Sequence, residues 1–254
     1  MIKIPTILFI FALSLFSKDI LGRDLAFSLA KLPEVSETRD KGMLVDLLKE
    51  MQKVYTEGKI SWDVYPFERS LKNVMEGKAD IHMPLLKDKL VPEEKLPFSL
   101  SSKEFIYVTF LLYTKKGNNT ITPSNLHKNN FRLETDSAHT QYFHGFKIHP
   151  TTCIGCALKK ISTDRLDGLI FASQPTDMEM NKMGLNDKIQ RSFFQNFPVH
   201  AVIAKGERSK EVDKIFLELF AKVLKNGGYD RALGPWVEYN EMMKKQFPEI
   251  TFSH

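Results

Sequence analysis

Two cysteines and two tryptophans in 254 residues leave this chain short of several familiar signatures. With Cys153 and Cys156 as its only cysteines there is no second cysteine pair, which removes the four-cysteine zinc sites. No Lys/Arg stripe interleaves with aromatics, so a net charge of +5 makes no case for nucleic acid. Beyond the N-terminus no apolar stretch is long enough for a membrane helix. Internal repeats, coiled-coil heptads and low-complexity tracts are absent, and no nucleophile–base–orienter set or metal-ligand quartet stands out. What remains is an ordinary globular composition, 43% hydrophobic and 26% charged, long enough to bury a full core in one large domain or two lobes.

The N-terminus differs from the rest. Lys3 precedes an uncharged apolar run from Ile4 to Phe16, too short to span a bilayer comfortably, and a polar segment follows. That order is the plan of a secretory signal peptide, so residues 1–22 are read as a leader. Gly22 offers a small residue for cleavage, although Ile20 two positions earlier is large; Ser17 is the other candidate. A buried first strand or an uncleaved anchor is the alternative. Loss of residues 1–22 removes Lys3, Lys18 and Asp19 and leaves a net charge of +4. A basic excess of that size fits a solvated surface and would also suit an anionic ligand or an anionic membrane surface.

The mature chain alternates strand and helix signals. Asp24 to Ala30 is β-prone. Leu44, Leu47, Leu48, Met51 and Val54 fall at helical spacing after Gly42, and Gly58 ends that helix. Ile60, Trp62 and Val64 alternate with polar residues as a half-buried strand does. Pro66 suits the first turn of a second helix with Leu71, Val74 and Met75 on its apolar face; Gly77 stops it, and Ala79 to Met83 returns as a strand. This order predicts a parallel sheet with right-handed crossovers. Phe105 to Tyr113 reads as a long buried strand, and the Asn- and Pro-containing stretch after it as a boundary. Further on, strands are expected at Phe131–Thr135, Leu166–Ala172 and Phe197–Ala204, with a short helix after the Asp136-Ser137 turn and another near Ala157–Ile161. A last helix starts at Ser209 as N-cap. Its stripe is Val212, Ile215, Phe216, Leu219, Phe220, Val223 and Leu224, and Gly227-Gly228 terminates it.

Six motifs in register resemble one family. Gly42, Asp46 and Leu47 fit a Gly-x-x-x-Asp-Leu helix entry, and Tyr65-Pro66-Phe67-Glu68-Arg69 a Pro-aromatic/basic helix start. Gly77, Lys78 and Asp80 fit a Gly-Lys-x-Asp turn, and Asp164 to Gly168 a Gly-Arg-x-Asp strand entry. Phe197 to Gly206 resembles a returning strand with a Lys-Gly end, and Asn226 to Tyr229 with Trp236 a C-terminal Asp-Gly-Tyr…Trp element. Together they resemble the type II periplasmic solute-binding proteins (extracellular solute-binding protein family 3). The resemblance implies an α/β, two-lobed Venus-flytrap fold, each lobe a mostly parallel sheet flanked by helices. Lobe 1 would comprise residues 23–112 and 204–254 and lobe 2 residues 113–203, joined by hinge strands near 108–114 and 197–204.

By the same resemblance the protein is a periplasmic, monomeric, non-catalytic binder without a cofactor. It would pass a small-molecule solute to an ABC-type membrane permease or a membrane sensor, and no nucleic acid is a partner. Amino-acid-binding relatives place an Arg after the third strand and an Asp after the second-lobe strand. Here those stretches hold Lys87 and Lys89, and Phe171-Ala-Ser-Gln174. The absence of both clamps points to a small polar or anionic solute other than a free α-amino acid. Its expected contacts are Lys31, Tyr65, Arg69, Met83, Pro84 and Leu85 from lobe 1, and Ser137, His139, Thr140, Ser173 and Gln174 from lobe 2.

His139, His144, His149, Cys153 and Cys156 lie within eighteen residues and could in principle bind zinc or copper. The histidine spacing of five suits neither a helix face nor a strand face, so no metal site is assigned. In an exported chain a local Cys153–Cys156 disulfide is the expectation; a redox role lacks an evident strand–motif–helix context. Trp62 and Trp236 are read as core. Two other functions stay open: an enzyme on the same fold, resembling cyclohexadienyl dehydratase, with His139 or Glu68 as acid/base, and a sensory or protein-interaction module.

Overall fold

A computed structural model describes residues 24–250 apart from 89, 129, 144 and 146. The leader read over residues 1–22 therefore lies outside the described residues, as do Lys89 and His144 of the candidate groups. The chain opens with β1 (Leu25–Ala30), α1 (Met43–Val54), β2 (Ile60–Tyr65), α2 (Phe67–Met75) and β3 (Ile81–Leu86). β1 pairs parallel with both β2 and β3, the arrangement that alternating strand and helix signals predict. Leu25, Phe27 and Leu29 point to one face and pack with α1, while Ser28 points to the other, where its Oγ accepts from Asn73 Nδ2 of α2 at 3.2 Å.

Gly42 is required where α1 begins. Its φ is 133°, and a Cβ there would lie 2.6 Å from the Val35 carbonyl oxygen. Pro66 stands one position outside the helix, as the N-cap of α2. Of the face predicted for α2, Leu71 and Val74 pack, but Met75 is 44% exposed because one residue further round the helix turns it to solvent.

The next elements are β4 (Ser99–Leu100) and β5 (Ile106–Lys115), then β6 (Leu133–Asp136), a 3-10 turn over Ser137–Tyr142, and β7 (Ile148–Thr151). α3 (Ile154–Ser162), β8 (Gly168–Ala172), α4 (Ser173–Lys182), β9 (Ile189–Ile203), α5 (Ser209–Lys225) and α6 (Gly228–Gln246) complete the chain. Among the described residues one sheet runs in the order β2-β1-β3-β9-β5-β8-β6-β7, with β4 beside β9. Its centre is a long antiparallel pair, β5 with β9, registered from Ile106↔Val199 to Lys115↔Ile189. β3 joins the C-terminal part of β9 and β8 joins the C-terminal part of β5, so parallel half-sheets grow from opposite ends of one ribbon.

The sequence patterns and the structure differ in β9, α4, α5 and α6. β9 begins at Ile189 rather than Phe197, because Gln190, Arg191, Ser192, Gln195 and Asn196 hide its first half behind polar residues. α4 carries Pro175 in its first turn and has little apolar periodicity, so the sequence shows no helix there. α5 is capped by Arg208, and Ser209 Oγ instead donates to the Gly206 carbonyl at 2.9 Å. Leu224, predicted in its stripe, is 44% exposed. α6 follows at once from the αL residue Gly227 and contains Pro235, the two residue types that ordinarily end a helix.

The core is divided as the sheet is. One cluster joins β1, β3, α1, α5 and the start of α6 through Leu29, Leu48, Phe216 and Leu233. A second joins β5 and β8 to α3 through Leu111, Leu158 and Leu169, and a third fills the opposite face with Phe110, Leu133 and Phe143. The end of α6 and the residues after it cross over, with Met243, Phe247 and Ile250 in the second cluster.

His82 on β3 is sealed beneath α2, with Nδ1 2.7 Å from Ser70 Oγ and the Phe67 ring edge-on at 5.3 Å. Burial pushes its pKa down to about 4, the Pro84 carbonyl only partly opposing this, so the imidazole is neutral in the folded protein. The unfolded chain binds that proton first, so stability is full above about pH 6.5 and is lost as pH falls toward 4. The loss attributable to His82 should be about 3 kcal/mol. Urea titrations at pH 7 and pH 4.5 should show a markedly smaller difference for His82→Gln than for the parent. His200, whose pKa burial also lowers, leaves a residual slope in both.

Candidate functional site

In a sheet built this way, the strand ends and helix starts of the two halves meet beside the β5–β9 ribbon. The junction is bridged by Tyr142, at the end of the 3-10 turn, whose hydroxyl donates to the Leu86 carbonyl at 3.1 Å. Burial, with Asp88 nearby, pushes the Tyr142 phenol up to about 12, so it stays a proton donor at physiological pH. Around this bridge lies a cavity of about 310 Å³. Phe67 and Leu71 of α2, Leu85 and Leu86 of β3, and Leu96, Phe98 and Leu100 make it mainly apolar. Gln141 and Tyr142 close it from the other half, and Lys87 and Asp88 are its charged residues. Lys87 forms an ion pair with Glu93.

A second, larger cavity of about 510 Å³ runs along the edge strand β2 beside α2. Its lining is polar and includes Ser61, Asp63, Tyr65, Arg69, Lys72 and Asn73. The Arg69 guanidinium sits 5.0 Å from the centre of the Tyr65 ring, and Arg39 lies 3.8 Å from Asp63. All of its lining residues fall between Phe27 and Ala79.

The residues expected to hold a solute are dispersed over these features. Leu85 lines the junction cavity, with half-buried Pro84 preceding it across a cis peptide from Met83. The Met83 side chain is 0% exposed in the core cluster of β1, α1 and α5; the register shift between His82 and Leu85 breaks the strand alternation that would put it beside Leu85, and it does not line the cavity. Tyr65 and Arg69 belong to the edge groove; Lys31 is exposed, and its backbone N–H donates to the Tyr65 carbonyl at 2.7 Å. None of the lobe-2 expectations lines either cavity. Ser137 is exposed, and its carbonyl accepts from Thr140 Oγ1 at 3.2 Å. The N-cap of that turn is Asp136, whose carboxylate accepts from the Ala138 N–H and lies 3.0 Å from His139 Nδ1. The His139 contact, aided by the Ala138 N–H against some burial, holds the Asp136 carboxyl below its usual range. The turn that would cradle an anion thus already holds the chain's own carboxylate. The His139 ring packs against Phe110 and Phe171, 5.8 and 5.3 Å between centres.

Ser173 is buried on the far side of β8, where its carbonyl accepts from the Tyr113 hydroxyl at 3.2 Å, while Gln174 next to it is half-buried. Sequence reasoning missed the network there. Asp177 of α4, buried, accepts from the hydroxyls of Tyr113 (2.9 Å) and Tyr239 (2.8 Å) and pairs with Arg191 of β9. Burial followed by the Asp177 charge raises both phenol pKa values, so both stay protonated as donors. A lone Asp inside a polar-looking helix gave no signal for it. The junction cavity was missed for another reason: its leucines and phenylalanines read simply as core. Cys153 and Cys156 form a disulfide. Among the described residues no group of three or more His, Cys, Asp or Glu is placed to hold a metal ion.

No protein-family model and no curated protein matches the chain. Solved structures do. A histidine kinase sensor domain with similarity to periplasmic binding proteins aligns at TM-score 0.62 and 13% identity, over 85% of this chain and 96% of that one. The chain has the two-lobed fold of the periplasmic binding proteins. Two more structures with this fold align over 84% of the chain and 94% of theirs. One is a putative ABC-transporter binding component from Wolinella succinogenes complexed with lysine (TM-score 0.60, 19% identity). The other is an ancestral amino-acid-binding protein, a precursor of cyclohexadienyl dehydratase (0.58, 16%). The junction cavity draws its lining from residues 67–100 and from Gln141 and Tyr142, whereas residues 27–79 alone line the edge groove. No helix among the described residues is long and apolar enough to cross a membrane.

Removing the Asp177 carboxylate would take the charge partner from half-buried Arg191, which keeps Gln246, and the acceptor from the half-buried Tyr239 hydroxyl, while buried Tyr113 keeps only the Ser173 carbonyl. Asp177→Ala should cost on the order of 3–5 kcal/mol in urea unfolding, against roughly 1 kcal/mol for Tyr239→Phe, which removes one hydrogen bond from the set.

Proposed function

We propose that this chain is an exported binding protein that holds one small solute at the lobe junction and presents it to a membrane permease or sensor. The carrying observation is the cavity of about 310 Å³ whose lining comes from α2, β3 and the Ser137–Tyr142 turn, on both sides of the β5–β9 ribbon. Solved structures of the same fold include a lysine complex and an amino-acid-binding ancestor, which supports a small molecule as the cargo. Residues 1–22 serve as the leader, and the mature protein acts as a monomer. Its lobes divide near residues 112 and 204, with the end of α6 docked on lobe 2.

The lining favours a different solute from the polar or anionic one that the missing clamps suggested. Leu71, Leu85, Leu86, Leu96, Phe98 and Leu100 present hydrocarbon, Lys87 is paired with Glu93, and the nearby turn is capped by Asp136. A molecule with a compact apolar or aromatic body gains by burial there, at roughly 25 cal/mol per Å². A strongly hydrated anion would lose its water without a free partner. The Tyr142 hydroxyl and Gln141 can orient one polar group. Closure then acts by population shift: the solute binds best when both halves of the lining are together.

A thermal-shift panel of aliphatic and aromatic amino acids, aromatic acids, sugars, polyamines and dicarboxylates tests this. A solute with an apolar body should raise the melting temperature, corresponding to about 2.7 kcal/mol at a hundredfold excess over its dissociation constant. Gln141→Trp, which fills the cavity from an exposed position, should abolish that response, and Arg69→Ala should leave it intact. A response confined to dicarboxylates, lost in Arg69→Ala and kept in Gln141→Trp, would move the site to the edge groove. Recovery of the solute chemically changed would replace binding by catalysis.

A further inference from the structure

We propose that Cys153 and Cys156 form a redox-active pair that exchanges with accessible thiols, an activity separate from solute binding. The strand–motif–helix context that the sequence leaves unseen is present. β7 runs to Thr151, Cys153 is the N-cap of α3, and the helix starts at the next residue. Both cysteines are exposed. They lie beside β7, at the opposite end of the sheet from the edge groove along β2, and neither lines the junction cavity.

The geometry treats the two sulfurs unequally. Cys153 Sγ accepts the backbone N–H of Cys156 at 3.1 Å, the place an N-cap oxygen ordinarily takes. A thiolate at Cys153 would keep that donor and sit at the positive end of a nine-residue helix, whereas Cys156, inside the first turn, has no such cap. The surrounding charges are named on each side. His149 on β7 is exposed; Lys159 is exposed further along α3, and Lys160 is paired with Glu134. Glu179 of α4 reaches the backbone at Gly155, 2.8 Å from where a Cβ would stand, and is itself 3.5 Å from Lys182.

A structural staple explains less. The bridge spans only two intervening residues, a loop whose closure removes little chain entropy. α3 is already docked by Ala157, Leu158 and Ile161, all fully buried, and Thr151 Oγ1 accepts the Cys153 N–H at 3.3 Å. The fold therefore does not depend on the bond staying closed.

The exchange balances with a thiol as the sole co-reactant. An external thiolate attacks Cys156 Sγ, the Cys153–Cys156 bond breaks, and Cys153 leaves as the capped thiolate. A second thiolate attacks the external sulfur of the mixed disulfide and expels Cys156. Two thiols are oxidised to one disulfide, the protein pair is reduced, and the two protons released end on the solvent or the cysteines. Reduction of an external disulfide opened by Cys153 runs through the other mixed disulfide: the Cys153 thiolate attacks one external sulfur and expels the first external thiolate, then the Cys156 thiolate attacks Cys153 Sγ, restores the Cys153–Cys156 bond and expels the second.

The test uses the full mature chain and glutathione as probe. Equilibration with mixtures of reduced and oxidised glutathione, followed by acid quench, alkylation and mass spectrometry, should give a reversible transition between the two-thiol and disulfide forms. Circular dichroism should show the same fold at both ends. With iodoacetamide at pH 7, Cys156→Ser (free Cys153) should react at least tenfold faster than Cys153→Ser (free Cys156). A pair that stays oxidised at every glutathione ratio and opens only in denaturant would overturn the proposal. So would equal alkylation rates in the two single variants.

Discussion

Everything else in this molecule hangs on the antiparallel pairing of β5 with β9. Ten registered positions, Ile106 to Lys115 against Val199 to Ile189, make it the one ladder that belongs to both halves of the sheet. Phe110, Leu111, Leu112 and Tyr113 are buried, so the ribbon is fixed by packing on both faces in the middle of its length. Each parallel half-sheet is built outward from an end of this ribbon, and the cavities lie where the half-sheets' loops converge or part. The register shift between Phe110 and Leu111 interrupts the ladder in mid-length, a place where a paired ribbon twists more strongly.

Parallel αβ order was legible because the residues that set it are local. Leu44, Leu47, Leu48 and Met51 at helical spacing, the alternation of Ile60, Trp62 and Val64, and the punctuation by Gly42, Pro66 and Gly77 all act within a few residues of chain. The first half of β9 was not legible, since its Gln, Arg, Ser and Asn side chains are half-buried through pairing with β5, a partner more than seventy residues away. α4 and α6 were lost to prolines that these helices tolerate at Pro175 and Pro235. Tertiary packing overrode local propensity in both, through Met180 on one and Leu233 on the other.

The site divides along the same line. Of the residues named from the family motifs, Leu85 lines the junction cavity, Tyr65 and Arg69 line the edge groove, and His139 packs on Phe110 and Phe171. What sequence could not supply was orientation. Met83 differs from Leu85 by one strand period and a local irregularity, yet one is core and the other cavity wall. Ser137 and Asp136 are neighbours, and the carboxylate takes the N-terminal position of the turn. The Cys-x-x-Cys pair shows the reverse, a plain motif whose meaning depends on a four-residue strand that only its pairing with β6 reveals.

α6 carries a mechanical consequence. Its first turns lie against α1, and its last turn reaches the packing of α3 and β8 through Met243, with Tyr239 fastened to Asp177 on the way. It is therefore a strut across the two bodies that β5 and β9 also connect. When one body swings, the ribbon can twist, but a helix resists both bending and stretching. The helix is weakest at Pro235, which has no amide N–H to donate to the carbonyl one turn earlier. Any bending of the strut would be easiest at that residue.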